Sequence, residues 1–221
     1  MRTGPVTRRV LAATAALLLA ATGCGIPLDS APRNAPVESK PSPKSEATTV
    51  EGGFGAWIYL THDGRLLATF REVKDRRPAT ILDSLLLAVP ANEVARGYVT
   101  QIPTGTKALA VRRTDQSIIV DLDSTFNDVI GAARQKAIAQ IVFTMTDLEG
   151  VSGVRFAVEG KAVDVSTPNR GDVERVTDCD FMSLLPTDED LAKAEIDDVT
   201  MQVMRTRRRA TENRCPDQAG D

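Results

Sequence analysis

Residues that could do chemistry are few and scattered in this 221-residue chain. It holds three cysteines, Cys24, Cys179 and Cys215, with a single histidine, His62, and a single tryptophan, Trp57. The cysteines lie far apart and lack the paired Cys-x-x-Cys spacing of zinc ligands, so no metal site is assigned. His62 stands beside Asp63, and such a dyad would need a nucleophile held nearby. Neither a Gly-x-Ser-x-Gly elbow nor a cysteine-nucleophile pattern occurs, so His62 reads as an exposed turn residue and no catalytic residue is named. Asp121, Asp123 and Asp128 offer the oxygen ligands that calcium takes, but a calcium site needs several ligands and usually a glycine-bent loop. Asp121 and Asp123 alternate with Val120 and Leu122, which predicts the solvent side of a sheet. No cofactor is expected.

Cys24 has a different context. Arg2, Arg8 and Arg9 precede the apolar or small run Val10–Thr22, the order of an export signal. The run is short of the roughly 20 residues that a membrane-spanning helix takes. Leu19-Ala20-Ala21-Thr22-Gly23-Cys24 resembles a bacterial lipobox, with Ala21 where leucine is usual. Thr7-Arg8-Arg9-Val10-Leu11 also resembles a twin-arginine signal, which leaves the export route open. Lipidation of Cys24 (palmitate among the acyl groups) would anchor the chain stably, because two chains suffice where one binds only marginally. Residues 25–53 follow as a tether, with Pro27, Pro32, Pro36, Pro41 and Pro43 among Ser, Ala, Lys and Glu. Such composition buries too little apolar surface to offset its ordering entropy. A flexible chain of this length holds a domain on the order of 30 Å from the bilayer.

In an oxidising exterior the remaining pair, Cys179 and Cys215, most simply forms a disulfide; the other reading is two free thiols. Arg205, Arg207, Arg208 and Arg209, with Arg214, form a basic cluster near the C-terminus. It either meets anionic headgroups or wall polymer, or pairs with the acidic stretch 188–199 just before it. Trp57 and Tyr59 sit two apart on a strand and so share one sheet face. That face is a partner surface if nothing covers it. Otherwise Trp57 and Tyr59, with Phe70, Tyr98, Phe126, Phe143 and Phe156, are expected in the core. The formal charge of −3 gives no electrostatic case for nucleic acid.

The elements that must position these groups follow from periodicity. Strand-like runs at 56–60 and 65–73 flank His62-Asp63-Gly64, and Asp-Gly between such runs is a strong hairpin signal. Pro78 suits the first position of a helix carrying Ile81, Leu82, Leu85, Leu86 and Val89, which Pro90 stops. A short strand at 98–102, a turn at 103–106 and a strand at 107–113 follow. Ile118, Val120 and Leu122 then mark a strand. From Arg134, Ile138, Ile141, Val142, Met145 and Leu148 recur at helical spacing. Gly150 is placed for a left-handed cap, and Val154, Phe156 and Val158 begin another strand. A last short strand is expected at 162–165. Thr187-Asp188-Glu189-Asp190 can start a helix, after which the tail either folds back or stays loose.

Several of these pieces carry a resemblance: Ile102-Pro103-Thr104-Gly105-Thr106; Val120-Asp121-Leu122-Asp123-Ser124 with Phe126; and Gln140-Ile141-Val142-Phe143-Thr144 with Val154-Arg155-Phe156. From about Ala56 to Val165 the chain resembles the GerMN domain of exported bacterial proteins, here in one copy where the founding protein has two. The stretch between Phe126 and Arg134 is shorter than in longer members. The resemblance implies an α/β fold and a non-catalytic, envelope-associated role such as assembly. It supplies no catalytic residues.

The expected organisation is a signal with lipobox (1–24), a disordered linker (25–53), a GerMN-like domain (54–166) and a C-terminal extension (167–221). The fold class is mixed α/β (α+β): a mostly antiparallel sheet with two helices packed on it, plus a tether and a tail with little core signal. The expected role is that of a membrane-anchored, extracytoplasmic lipoprotein, not an enzyme. It would bind another envelope protein or wall polymer through a sheet edge or helix face. Capture of a small ligand in a sizeable pocket is the alternative, with an envelope hydrolase behind it.

Overall fold

The computed structural model describes residues 53–215. The export segment, Cys24 and all of the tether except Gly53 lie outside the described residues.

The Asp63-Gly64 turn joins strand β1 (Phe54–His62) to β2 (Arg65–Val73) as an antiparallel hairpin. Both turn residues have positive φ, 49° and 79°, the backbone that keeps a tight turn in step with strand twist and that Asp-Gly tolerates. Helix α1 (Pro78–Leu86) starts on its proline, whose missing N–H would have had no partner there, and buries Ile81, Leu82 and Leu85. It stops at Leu86, before Pro90. Pro90 caps a further single turn, α2 (Ala91–Val94), that the hydrophobic pattern did not signal. The strand expected at 98–102 is reduced to one bridge, in which Val99 and Thr61 exchange hydrogen bonds of 2.9 and 2.8 Å.

Strands β3 (Ala108–Thr114), β4 (Ser117–Leu122), β5 (Gly153–Val158) and β6 (Lys161–Val163) lie side by side in that order. Every pair is antiparallel except β4–β5. That parallel pair requires a crossover, and α3 (Gly131–Thr146) supplies it. Gly150, at φ 71°, turns the chain from the helix towards β5 as its position implied. β7 (Val165–Thr167) and β8 (Gly171–Val173) form a small hairpin, and β9 (Arg175–Val176) returns to β5. The fold is the mixed α/β class that the sequence implied.

Two expectations fail here for one reason: neighbours close over both faces. Asp121 is buried, not on a solvent face, because the β5–β6 turn folds back onto that face of β4. Its carboxylate accepts the Gly160 N–H at 3.0 Å. Helix α3 is also buried beyond one face: every residue from Ala137 to Thr146 is enclosed, Gln140 and Thr144 included. A helix enclosed all round belongs to the middle of a core.

The tail folds back. After β9 come a 3-10 segment (Asp178–Leu184), α4 (Asp188–Lys193) and α5 (Asp198–Arg214). Thr187 and Asp190 make a reciprocal capping box, with Asp190 N–H to Thr187 Oγ1 at 3.1 Å and Thr187 N–H to the Asp190 carboxylate at 2.9 Å. Leu191 of α4 and Met204 of α5 join the same core as Tyr59 and Phe143. Cys179 and Cys215 form a disulfide with Cα atoms 5.7 Å apart, tying the end of α5 to the 3-10 segment. Among the described residues no helix is long and apolar enough to cross a membrane.

Candidate binding cleft

A cleft of about 700 Å³ opens where the start of β1 passes the end of α3. Gly55 and Trp57 come from β1, Arg76 from the loop before α1, and Ile81 from α1. Arg113, near the end of β3, faces Asp147 and Glu149 just beyond α3. A packing choice at residue 55 shapes the strand beside the cleft. The Phe70 ring occupies the space where a Cβ on residue 55 would lie, so glycine there lets that ring fold over the strand. Phe70 then meets Trp57, its cross-strand neighbour, edge-on at 5.3 Å between centroids.

The charges of the cleft differ in their partners. Asp147 is partly buried, and burial pushes its carboxyl above the usual range, opposed by Arg207 at 3.7 Å and by the Tyr59 hydroxyl, which donates to it at 3.4 Å. Burial in turn raises the Tyr59 phenol well above its ordinary value, with the Asp147 charge adding to the effect. Arg113 donates to the Glu149 carbonyl, in the turn that follows α3. Arg76 lies over the Phe54 ring at 5.5 Å. Neither Arg76 nor Arg113 forms an ion pair with a carboxylate among the described residues. The Glu149 side chain is exposed at the rim. With Asp147 matched by Arg207, the two guanidinium groups outnumber the Glu149 carboxylate, and the charge left without an ion pair among the described residues is net positive.

The main chain of β1 sets the third property. Its outward-facing groups are covered at Thr61 and Tyr59, by main chain at the first and by side chains at the second. Thr61 pairs with Val99, Tyr59 N–H donates to Thr144 Oγ1 at 3.0 Å, and Gln140 Nε2 donates to Tyr59 O at 3.1 Å. On the partner strand, Ala68 N–H meets Met204 Sδ at 3.2 Å. Gln140 and Thr144 are thus the polar plugs of a strand edge, at the i, i+4 spacing that puts two side chains on one helix face. The pairing of β1 with β2 runs without a shift from Phe54↔Val73 to His62↔Arg65. Antiparallel alternation therefore turns the Trp57 and Gly55 main chain to the same side as Tyr59 and Thr61. No described residue hydrogen-bonds them there, and both line the cleft.

Set against the sequence, the sites divide. Trp57 is partly exposed at the cleft, but Tyr59 is fully buried: α3 covers the face that the two residues share, with Phe143 5.5 Å away. Phe70, expected in the core, is 52% exposed, its ring lying over Gly55 and against Trp57 near the open end of the hairpin. His62 is not exposed; its side chain is only 12% accessible and packs edge-on against Tyr98. Asp123 accepts from Lys107 N–H at 3.1 Å and Asp128 is exposed, so these carboxylates and Asp121 serve separate places.

The basic cluster also splits. Arg205 pairs with Asp188 at 3.2 Å, as pairing with the preceding acidic stretch requires. Arg207 is no surface residue. Its side chain is 10% accessible, and it reaches Asp178 at 3.3 Å and lies over the Phe143 ring at 5.3 Å. Arg208 pairs with Glu212 at 2.7 Å, and Arg214 with Asp178. Arg209 is exposed and pairs with none of the described residues. Arg76, Arg113 and Glu149 were not singled out from sequence. Their only signal is an ordinary charge at a strand or helix end, and no spacing links them to Trp57.

Residues 58–164 match the model of the Germane family, described as sporulation and spore germination. The chain carries a GerMN-type domain. The matched span lies inside the 56–165 stretch that holds the sequence motifs. Three solved structures are similar. The tandem GerMN domains of the sporulation protein GerM from Bacillus subtilis share 17% identity at a TM-score of 0.46, covering 58% of this chain and 47% of that one. The first GerMN domain of the same protein shares 18% at 0.44, covering 57% and 95%. A putative lipoprotein from Clostridium perfringens shares 14% at 0.38, covering 57% and 88%. The chain thus spans about half the length of the tandem-domain structure. No curated protein matches it.

Proposed function

We propose that this protein is a non-catalytic binding module of the cell envelope. In this reading a lipid on Cys24 holds it to the outer face of the cytoplasmic membrane, and the cleft beside β1 receives a protein partner. The composition of the cleft carries the reading. Its lining offers an indole, and also two guanidinium groups and a length of outward-facing main chain that have no carboxylate or hydrogen-bond partner, respectively, among the described residues, all suited to holding a ligand. The one hydroxyl in the lining, on Thr144, is already engaged: it accepts from Tyr59 N–H and donates to Gln140 O at 2.7 Å. A GerMN-type domain whose family is described by sporulation and germination agrees with a role at the cell surface.

The test is in-cell photocrosslinking. A benzophenone amino acid in place of Trp57 should give a discrete adduct with another envelope protein. The same group at Lys161, exposed and outside the cleft, should not. Cys24→Ala should release the protein from the membrane fraction and weaken the adduct. Equal adducts at both positions, or none at position 57, would overturn the reading. A small-ligand site is the second reading, since the cleft volume lies within the range of about 300–1,000 Å³ typical of such pockets. It gains if purified protein shows a saturable rise in melting temperature with small envelope metabolites.

A further inference from the structure

The cleft contains the one part of β1's outward edge that the fold leaves without a partner among the described residues. We infer that Gly55 to Trp57 receives an extended, acidic segment of a partner protein as an added strand. This rests on the reading of the cleft as a binding site and names the mode of binding and the chemistry of the partner.

Two independent observations converge. The first is the hydrogen-bonding pattern. At Thr61 the outward edge is satisfied by Val99, and at Tyr59 by Thr144 and Gln140. Two and four residues further on, Trp57 and Gly55 present the same edge into an open cleft. An unpaired strand edge is a template for another strand, and natural folds normally cover or blunt it. This fold covers the edge with α3 side chains and then stops at the cleft. A guest strand there gains main-chain hydrogen bonds from two successive outward-facing residues, the arrangement by which extended peptides add to sheets. Trp57, partly exposed, gives an apolar contact for its side chains.

The second observation is charge. Arg76 and Arg113 border the cleft without carboxylate partners among the described residues, while Asp147 is matched by Arg207. Carboxylates on the guest would complete those guanidinium groups in the bidentate geometry that Arg favours. Glu149 at the rim repels a carboxylate beside it, so the acidic residues of the guest belong next to the two guanidinium groups.

The probe is a capped peptide of alternating glutamate and valine, about eight residues long, the extended form that edge-addition sites take. It is titrated into full-length protein in detergent, with amide hydrogen exchange read by NMR. Saturation should slow exchange at Gly55 and Trp57 at least tenfold. Peptides N-methylated at alternate residues form two sets, because a strand has two edges. One set should lose binding and the other should keep it. Arg76→Gln, which leaves the Arg113 contact to Glu149 intact, should weaken binding roughly tenfold and reduce its salt dependence.

Equal binding by both N-methylated sets, with Gly55 and Trp57 exchange unchanged, would overturn strand addition, and the cleft adduct in cells would then stand alone. Binding indifferent to salt and to Arg76→Gln would overturn the acidic partner. Protection of both amides before any peptide is added would show the edge filled by a second copy or by this chain, and would overturn the inference as well.

Discussion

Arg207 gives the sharpest test of how the C-terminal helix is held. The perturbation is Arg207→Met, which keeps the apolar stem and removes the guanidinium. In the structure that group reaches Asp178 at 3.3 Å and Asp147 at 3.7 Å, and donates to Thr146 Oγ1 at 2.6 Å. Breaking a buried pair from one side costs about 3–5 kcal/mol, because a carboxylate is left without compensation. Two features pull the value to the lower end. Asp178 keeps Arg214 and the Thr211 hydroxyl, and the Asp147 side chain is 30% accessible. A loss of about 3 kcal/mol is expected, or roughly 6–12 °C in melting temperature for a domain of this size. Differential scanning calorimetry at several pH values is the assay.

The pH dependence has a definite sign. Burial already holds the Asp147 carboxyl above its ordinary value, and Arg207 is its main opponent. Without Arg207 it rises further. A carboxyl raised in the folded state penalises folding at neutral pH, and the penalty fades as pH falls through the raised value. The deficit of Arg207→Met should therefore shrink as pH is lowered from about 7 towards 5. Arg205→Met and Arg209→Met, at exposed or partly exposed positions, should stay within about 0.5 kcal/mol of wild type. A deficit for Arg207→Met below about 1 kcal/mol, or one that grows on acidification, would refute the reasoning.

Other predictions follow from the same contacts. Thr144→Val is nearly isosteric but leaves the buried Tyr59 N–H without its acceptor. It should cost about 1–3 kcal/mol, with faster amide exchange at Tyr59, and an unchanged melt would dismiss the edge-plug role. Reducing Cys179–Cys215, which spans 36 positions in sequence, should cost about 4 kcal/mol in the chain-entropy model, or roughly 8–16 °C; superposed oxidised and reduced melts would rule this out. Burial raises the Asp180 carboxyl, but the Arg170 guanidinium and the Thr177 N–H outweigh it and hold it below the usual range. The stability it supplies is complete above the unfolded carboxyl value and is lost as pH falls through the depressed one, below about pH 4. Asp180→Asn should flatten that acid limb of the stability curve, and a limb of unchanged steepness would count against the pairing.

What the sequence by itself determined is whatever depends on neighbours along the chain. Asp63-Gly64 specified its turn because the positive φ is a local property, as it is at Gly150. Pro78 opened α1 and Thr187 with Asp190 opened α4 because caps lie within a few residues. The pattern from Ile138 to Leu148 marked α3, and the motifs from Ile102 to Phe156 marked the GerMN-type domain. Only the tertiary structure decided what covers what. Tyr59 and Trp57 share a strand face, yet one is sealed by α3 and the other opens on a cleft. Gln140 and Thr144 look like the polar side of an ordinary amphipathic helix until a strand edge is placed against them. Neighbouring arginines on α5 have opposite fates, Arg207 between Asp147 and Asp178 and Arg209 in solvent. The cleft gathers Gly55, Trp57, Arg76, Arg113 and Glu149 from four separate stretches of chain. Burial and charge pairing are sums over distant neighbours, and periodicity along one segment carries no record of them.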